Sequence, residues 1–171
     1  KGNYVMFCDQ DDVWLPDKIE KTLAFMKERE KIAGNVPVAV FTDAKPVDAV
    51  LRTIHESFFA YNALDVTKTD LPHLLIENKV IGCTTMVNRN LLNRITDFPN
   101  CARFHDWWVA LIASVFGDLA YLDEVTMLYR QHGSNVVGSQ SFFAYLIDRI
   151  KNIKVQRRAL IKTEKQAWEF Y

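Results

Sequence analysis

Cysteine is scarce in this chain of 171 residues, and its placement is irregular. The three cysteines are Cys8, Cys83 and Cys101. An odd number without short, regular spacing argues against a disulfide framework and a structural zinc site. It favours a reducing, cytoplasmic setting. Long apolar runs are also missing, since none reaches the roughly 18 residues of a membrane span. No signal peptide opens the chain, although a truncated chain could have lost one. There is no net charge, because 21 Lys/Arg balance 21 Asp/Glu. Basic residues interleaved with aromatics through the body of the domain would mark a nucleic-acid groove, and none are found, so no nucleic-acid partner is expected. Repeats and low-complexity segments are absent.

The rest of the composition is that of an ordinary globular protein, 49% hydrophobic and 25% charged, which excludes disorder. The chain is long enough for one compact domain with a sizeable core. It starts at Lys1 and runs almost at once into the apolar stretch Tyr4-Val5-Met6-Phe7-Cys8. The expectation is a fragment whose upstream portion is missing.

Residues 4 to 8 read as a buried strand and residues 9 to 15 as the loop leaving it. Pro16 to Lys31 has helical periodicity, with Ile19, Leu23 and Met26 on one face. Gly34-Asn35 ends that helix. Residues 37 to 43 read as a second strand, and 44 to 70 as an irregular excursion with short helical pieces. Leu71 to Asn78 reads as a short helix. Thr84 to Asn88 reads as a strand entered through Ile81-Gly82-Cys83, and Asn90 to Ile95 as another helical turn or two. Asp106 to Phe116 is a strongly apolar helix closed by Gly117. Two short strands follow, 120 to 122 and 126 to 130, then a loop from Gln131 to Gly138. One long helix runs from about Ser141. Alternating strands and helices imply an α/β sandwich with a mostly parallel sheet, in which polar ligands bind at the carboxyl ends of strands.

The run Asp9-Gln10-Asp11-Asp12 stands at such an end. Clustered carboxylates repel one another and need a compensating cation, and hard oxygen donors suit Mg²⁺ or Mn²⁺. Such an ion can hold and neutralise a diphosphate. Helix capping by Asp12 or Asp17 is the plainer reading, but three Asp in four residues are more than capping needs. A calcium loop of the EF-hand type is excluded, because its glycine position holds Trp14.

The longer run Phe7-Cys8-Asp9-Gln10-Asp11-Asp12-Val13-Trp14-Leu15-Pro16-Asp17-Lys18 resembles the D-x-D region of the inverting family 2 glycosyltransferases, and within them a bacterial rhamnosyltransferase-like group that builds cell-surface polysaccharides. Three later segments match in order: Ile81-Gly82-Cys83-Thr84, His105-Asp106-Trp107-Trp108, and Tyr129-Arg130-Gln131-His132-Gly133-Ser134-Asn135. The resemblance covers residues 4 to 138. It implies a truncated GT-A-like, Rossmann-type fold for residues 1 to 138, followed by a helical extension over 139 to 171. It implies transfer of a sugar with inversion, from a dTDP- or UDP-linked donor to a glycan or lipid-linked acceptor. It suggests rhamnose as the sugar.

The resemblance also assigns roles. Asp9, Asp11 and His132 are the expected metal ligands, with Asp12 and Arg130 toward the donor diphosphate and sugar. Asp106 is the expected base, and an N-cap is its plainer reading. Trp14, Gly82, Cys83, His105, Trp107 and Trp108 are expected around the acceptor. Gly82 would permit close backbone approach, Cys83 would be small and buried, and one of the two tryptophans would serve only the core. The segment that would hold the nucleotide base lies upstream of Lys1 in this family, so the isolated chain is expected to be inactive.

Residues 141 to 171 hold seven Lys/Arg against three acids, which leaves the first 140 residues at −4. Two readings of this basic helix stand: packing on its own domain or a partner, or peripheral contact with the inner face of the cytoplasmic membrane. Two other functions also stand. A haloacid-dehalogenase-like phosphatase would use Asp9 and Asp11, with Thr42, Lys79, Gly117-Asp118 and Asp123 as later motifs. A non-catalytic sugar-binding module would keep only the fold.

Overall fold

The computed structural model describes residues 2–95, 98–131 and 153–170. Strands β1 (Tyr4–Met6) and β2 (Val13–Trp14) precede helix α1 (Lys18–Ala33) and the long strand β3 (Val38–Val47). Short helices α2 (Phe58–Tyr61) and α3 (Leu71–Ile76) follow, then a 3-10 turn over Gly82–Thr84. Strand β4 (Met86–Asn88) runs into α4 (Arg89–Arg94). Helix α5 (His105–Phe116), strand β5 (Asp118–Arg130) and helix α6 (Ile153–Phe170) complete the described elements.

The five strands form one sheet in the order β1-β4-β3-β5-β2. The α/β sandwich expected from the sequence is present, but the pairings are not mostly parallel. Only β3 and β5 pair in parallel; β1–β4, β4–β3 and β2–β5 are antiparallel. The reason lies in the insertion of β4. Strands β1, β3 and β5 all run the same way, but β4 enters between β1 and β3 in the opposite sense. Parallel direction therefore survives without parallel neighbours.

Successive residues of β3 face opposite layers, as a pleated strand requires. Ala39 and Phe41 pack with Trp107, Val109, Leu111 and the rest of α5. Val38 and Val40 pack with Met26 of α1, Met86 and Ala120. Helix α5 is buried from Trp107 through Ala113, which matches its lack of a polar face.

Several elements depart from the sequence reading. Helix α1 buries Lys18, Thr22 and Met26, while Ile19 is 54% exposed. The buried polar stripe is satisfied locally: Lys18 Nζ donates to Thr126 Oγ1 of β5, and Thr22 Oγ1 donates to the Lys18 carbonyl. Strand β3 continues past Asp43 to Val47, with register shifts on either side of that residue. The buried Asp43 does not end the strand because its Oδ1 accepts from the backbone N–H of Ala44 and Phe58, the latter at the start of α2. The two short strands expected after α5 are one continuous strand, β5, held along its length by β3. The expected boundary at 138/139, the loop beyond Gln131 and the helix start near 141 lie outside the described residues.

Candidate active site

Strand β1 delivers the acidic loop and β5 fixes it. The Asp12 Oδ1 accepts from the backbone N–H of Arg130 at 3.0 Å. The Arg130 guanidinium also clamps the loop, since Nε donates to the Asp11 carbonyl at 2.7 Å and an Nη donates to the Ala49 carbonyl. Asp9 and Asp12 place carboxylate oxygens within 4.8 Å of each other and of the Cys83 sulfur. Asp11 is not in that group. Asp12 thus stands beside Asp9 in the position that the sequence reading gave to Asp11. His132 lies outside the described residues.

The Asp12 Oδ2 is buried without a conventional hydrogen-bond donor among the described residues, and the thiol of Cys83, a weak donor, lies beside it. Burial pushes the Asp12 carboxyl above the ordinary aspartate range, against the hydrogen bond from Arg130. Asp11 and Asp9 push it further the same way. An under-satisfied, buried carboxylate oxygen next to a second carboxylate is a fitting donor pair for a hard divalent cation. Cys83 is a soft ligand and does not suit that role. It is 2% exposed, and burial drives its thiol far above its usual range, so it stays protonated as expected of a small buried residue.

Beneath the cluster lies a residue that sequence reasoning missed. Lys18 is fully buried, its ammonium 3.1 Å from Thr126 Oγ1 and 5.1 Å from the centre of the Trp14 ring. Thr126 in turn shares a 2.6 Å hydrogen bond with Thr42. Burial lowers the Lys18 ammonium to about 8, while the negative charge of Asp12 opposes that fall. Trp14, expected at the acceptor, packs partly buried over this lysine. Its Nε1 has no hydrogen-bond partner among the described residues.

The second acidic group is Asp106, at the second position of α5. It is not the N-cap, which is Phe104. Its Oδ2 accepts from the backbone N–H of Gly82 at 3.0 Å; its Oδ1 accepts from the Trp107 N–H at 2.7 Å and from Asn78 Nδ2 at 3.2 Å. Burial raises the Asp106 carboxyl above its ordinary range, against the charge of His105 and these three donors. His105 is exposed and sets its ring edge-on to Phe7, with centroids 5.0 Å apart. A Cβ on Gly82 would fall 2.8 Å from His105 Nε2, so close approach explains the glycine.

Trp107 and Trp108 do not form a wall of the site. They are 2% and 8% exposed; the Trp107 indole N–H bonds the Leu74 carbonyl and Trp108 packs edge-on to Phe170. Both serve the core, where the sequence reading had assigned only one of them. Asn78 was not foreseen, since it belongs to no motif, and Phe7, although it heads the acidic run, was given no role.

The Gly82-Cys83 turn therefore joins two acidic groups: Cys83 touches the Asp9/Asp12 pair and Gly82 touches Asp106. The chain resembles the dTDP-rhamnosyl transferase RfbG of Shigella flexneri, with 26% identity over 149 residues, 82% of this chain and 47% of that protein. It also resembles TuaG of Bacillus subtilis (strain 168), named as a glycosyltransferase of teichuronic acid biosynthesis, with 32% identity over 120 residues, 68% of this chain and 42% of that protein. The chain spans less than half the length of these curated relatives. The model of glycosyl transferase family 2 matches residues 1–95, which include the acidic loop, β3 and the Gly82-Cys83 turn, and this chain belongs to that family.

Proposed function

We propose that the protein containing this chain is a metal-dependent, inverting sugar transferase of cell-surface polysaccharide synthesis. The single observation that supports this most is the Gly82-Cys83 turn, which sets a cation-suited carboxylate pair beside a separate, hydrogen-bonded carboxylate. Glycosyl transfer needs both: charge neutralisation at a departing diphosphate and a base at the acceptor hydroxyl.

In this reading Asp9 and Asp12 would hold Mg²⁺ or Mn²⁺. When bound, the ion neutralises the diphosphate of the donor. Asp106 accepts the proton of the acceptor hydroxyl as its oxygen bonds to the anomeric carbon. The bond from that carbon to the diphosphate breaks, and the nucleoside diphosphate leaves with the electron pair. The hydrogen bonds from Gly82, Asn78 and Trp107 fix the carboxylate of Asp106 without donating a full charge to it, so it keeps basicity. Gly82 and the exposed His105 border the place where an acceptor would lie. Rhamnose from a dTDP donor is the proposed sugar, because the relative from Shigella flexneri bears that name. The acceptor is a glycan or lipid-linked saccharide.

The phosphatase reading is disfavoured by placement. Asp118 pairs with Arg29 through two hydrogen bonds and sits beside Val38, at the opposite end of β5 from Arg130 and the acidic loop. Lys79 is paired with Glu77.

The test is a donor screen with the complete gene product, Mg²⁺ or Mn²⁺, and analysis of the anomeric configuration of the product. Inverted product that requires the metal and is lost in Asp12→Ala supports the proposal. A retained configuration, or full activity in a chelator, refutes it.

A further inference from the structure

The segment from Asp11 to Lys18 lies along the last part of β5 and is pinned to it repeatedly. Arg130 holds Asp11 and Asp12. Val13 pairs with Leu128, and Trp14 with Met127. The Leu15 N–H then donates to the Thr126 carbonyl at 2.9 Å. Lys18 closes the segment: its backbone N–H donates to the Leu15 carbonyl, and its ammonium donates to the Thr126 hydroxyl. Thr126 therefore holds both the main chain of the loop and the side chain of Lys18.

That ammonium belongs to a fully buried side chain, yet among the described residues no carboxylate lies within ion-pairing distance of it. Its contacts are the Thr126 hydroxyl and the ring of Trp14, and neither carries a charge. A buried cation without an ion pair is unfavourable, and a neutral side chain of the same length would pack as well. The opposite charge that acts on Lys18 is that of Asp12, which favours the charged ammonium across a gap longer than an ion pair. Asp12 has the converse problem. It is crowded by the charges of Asp9 and Asp11, and its buried Oδ2 lacks a conventional donor among the described residues. A cation short of an anion thus stands beneath a loop with an excess of anions.

We infer that Lys18 is an internal counter-cation of the acidic loop. It lets Asp9, Asp11 and Asp12 stand together when no ion is bound, and it keeps a divalent ion from binding too tightly. Both effects follow from one fixed positive charge, which attracts the carboxylates and repels an incoming Mg²⁺ or Mn²⁺. Lys18 is a positioning residue, because it acts through the carboxylates and does not touch the sugar. A loosely held ion suits a site that must release a diphosphate after each turnover. The effect on the ion rests on the proposed reading of Asp9 and Asp12 as cation donors; the attraction between Lys18 and Asp12 does not.

Binding of Mn²⁺ alone to the complete gene product at pH 7, followed by the paramagnetic resonance of the free ion, tests the inference without turnover. Lys18→Met and Lys18→Gln both remove the charge, and Gln keeps a polar end for Thr126. Both should bind Mn²⁺ roughly fivefold more tightly, or better, than the parent. A lysine that only packed the loop would, on replacement, leave the affinity unchanged or weaken it. Asp12→Ala should abolish binding in each background. Urea melts in chelator give a second readout. The midpoint shift caused by Asp12→Asn should be more unfavourable in the parent than in Lys18→Met, since only the parent loses an attraction. Mn²⁺ binding that depends on Asp12 but is unchanged or weaker in both neutral variants overturns the inference and leaves the cation site standing. Equal midpoint shifts in the two backgrounds overturn it as well. If the parent binds no Mn²⁺ that Asp12→Ala removes, the cation reading itself fails and the inference falls with it.

Discussion

Burial and hydrogen bonding act in opposite directions on Asp106. Burial raises its carboxyl and wins, while Gly82, Asn78 and Trp107 hold the ionised form in place. A base must be deprotonated to act, so kcat/KM of the complete enzyme should rise with pH through the raised pKa of Asp106 and level off above it. Asp106→Asn should cost about 10²–10⁴-fold in transfer rate and leave donor binding nearly intact, as measured by product formation and by calorimetry with the donor. Lys18 offers a second test at this scale. Its folded-state pKa, about 8, is below the 10.5 of an ordinary lysine, so the unfolded chain binds the extra proton between those values. Stability should therefore rise with pH across that window and be lower beneath it. Urea melts of the chain and of Lys18→Met should differ by a slope present only in the parent. A slope of the same size in both would reject a buried, depressed lysine. The acidic cluster was legible in the sequence because three Asp in four residues after an apolar strand are more than helix capping needs. Lys18 was not, because lysine is ordinarily a surface residue and its burial depends on partners brought together by the fold, among them the hydroxyl of Thr126, 108 positions away, and the ring of Trp14.

Elements were legible where one period dominated. Helix α5 is apolar throughout and its limits, His105–Phe116, differ from the expected ones by a single residue. Helix α1 was found and Met26 and Leu23 do pack inward, but Ile19 does not, and Lys18 and Thr22 take the buried stripe because the sheet beneath presents a threonine to Lys18. Strand pairing was less legible, because β4 has only three residues and its entry between β1 and β3 depends on contacts far apart in sequence. The junction of α5 and β5 shows how tightly the sheet constrains its connections. Gly117 is in an extended conformation, and a Cβ there would fall 1.7 Å from the Pro37 carbonyl oxygen. The next residue, Asp118, donates its N–H to that same carbonyl at 2.9 Å and begins the parallel pairing of β5 with β3. Gly117→Ala must push these strands apart, because backbone atoms cannot rotate away as a side chain would. Overpacking of this kind costs about 1–3 kcal/mol or more, and a urea melt should show a loss of that size. Gly82→Ala is the useful contrast. Its Cβ meets the end of the His105 ring, which can turn aside, so stability should hold while the ring leaves its position beside Phe7.

At the scale of the whole molecule, the acidic loop, the Gly82-Cys83 turn and the start of α5 converge on one side of a core built around β3, whereas α6 is joined to that core through few groups. Strand β3 is buried along nearly all its length and is paired on both sides. Among the described side chains, helix α6 is tied to the domain through Gln166, Thr163 and Phe170, whereas Ile161, Lys162, Glu164, Lys165, Trp168 and Glu169 are exposed. Local stability follows buried apolar contact and protected hydrogen bonds, so the two regions should open with different free energies. Amide hydrogen exchange should show α6 opening by a local route, well before the global unfolding that exposes β3. Phe170→Ala removes the aromatic contact with Trp108 and should speed exchange throughout α6 while leaving protection of Val38 to Phe41 unchanged. A uniform loss across both regions would instead make α6 part of the cooperative core, and its docking to Arg103 would then be as much a condition of folding as the β3–β5 pairing.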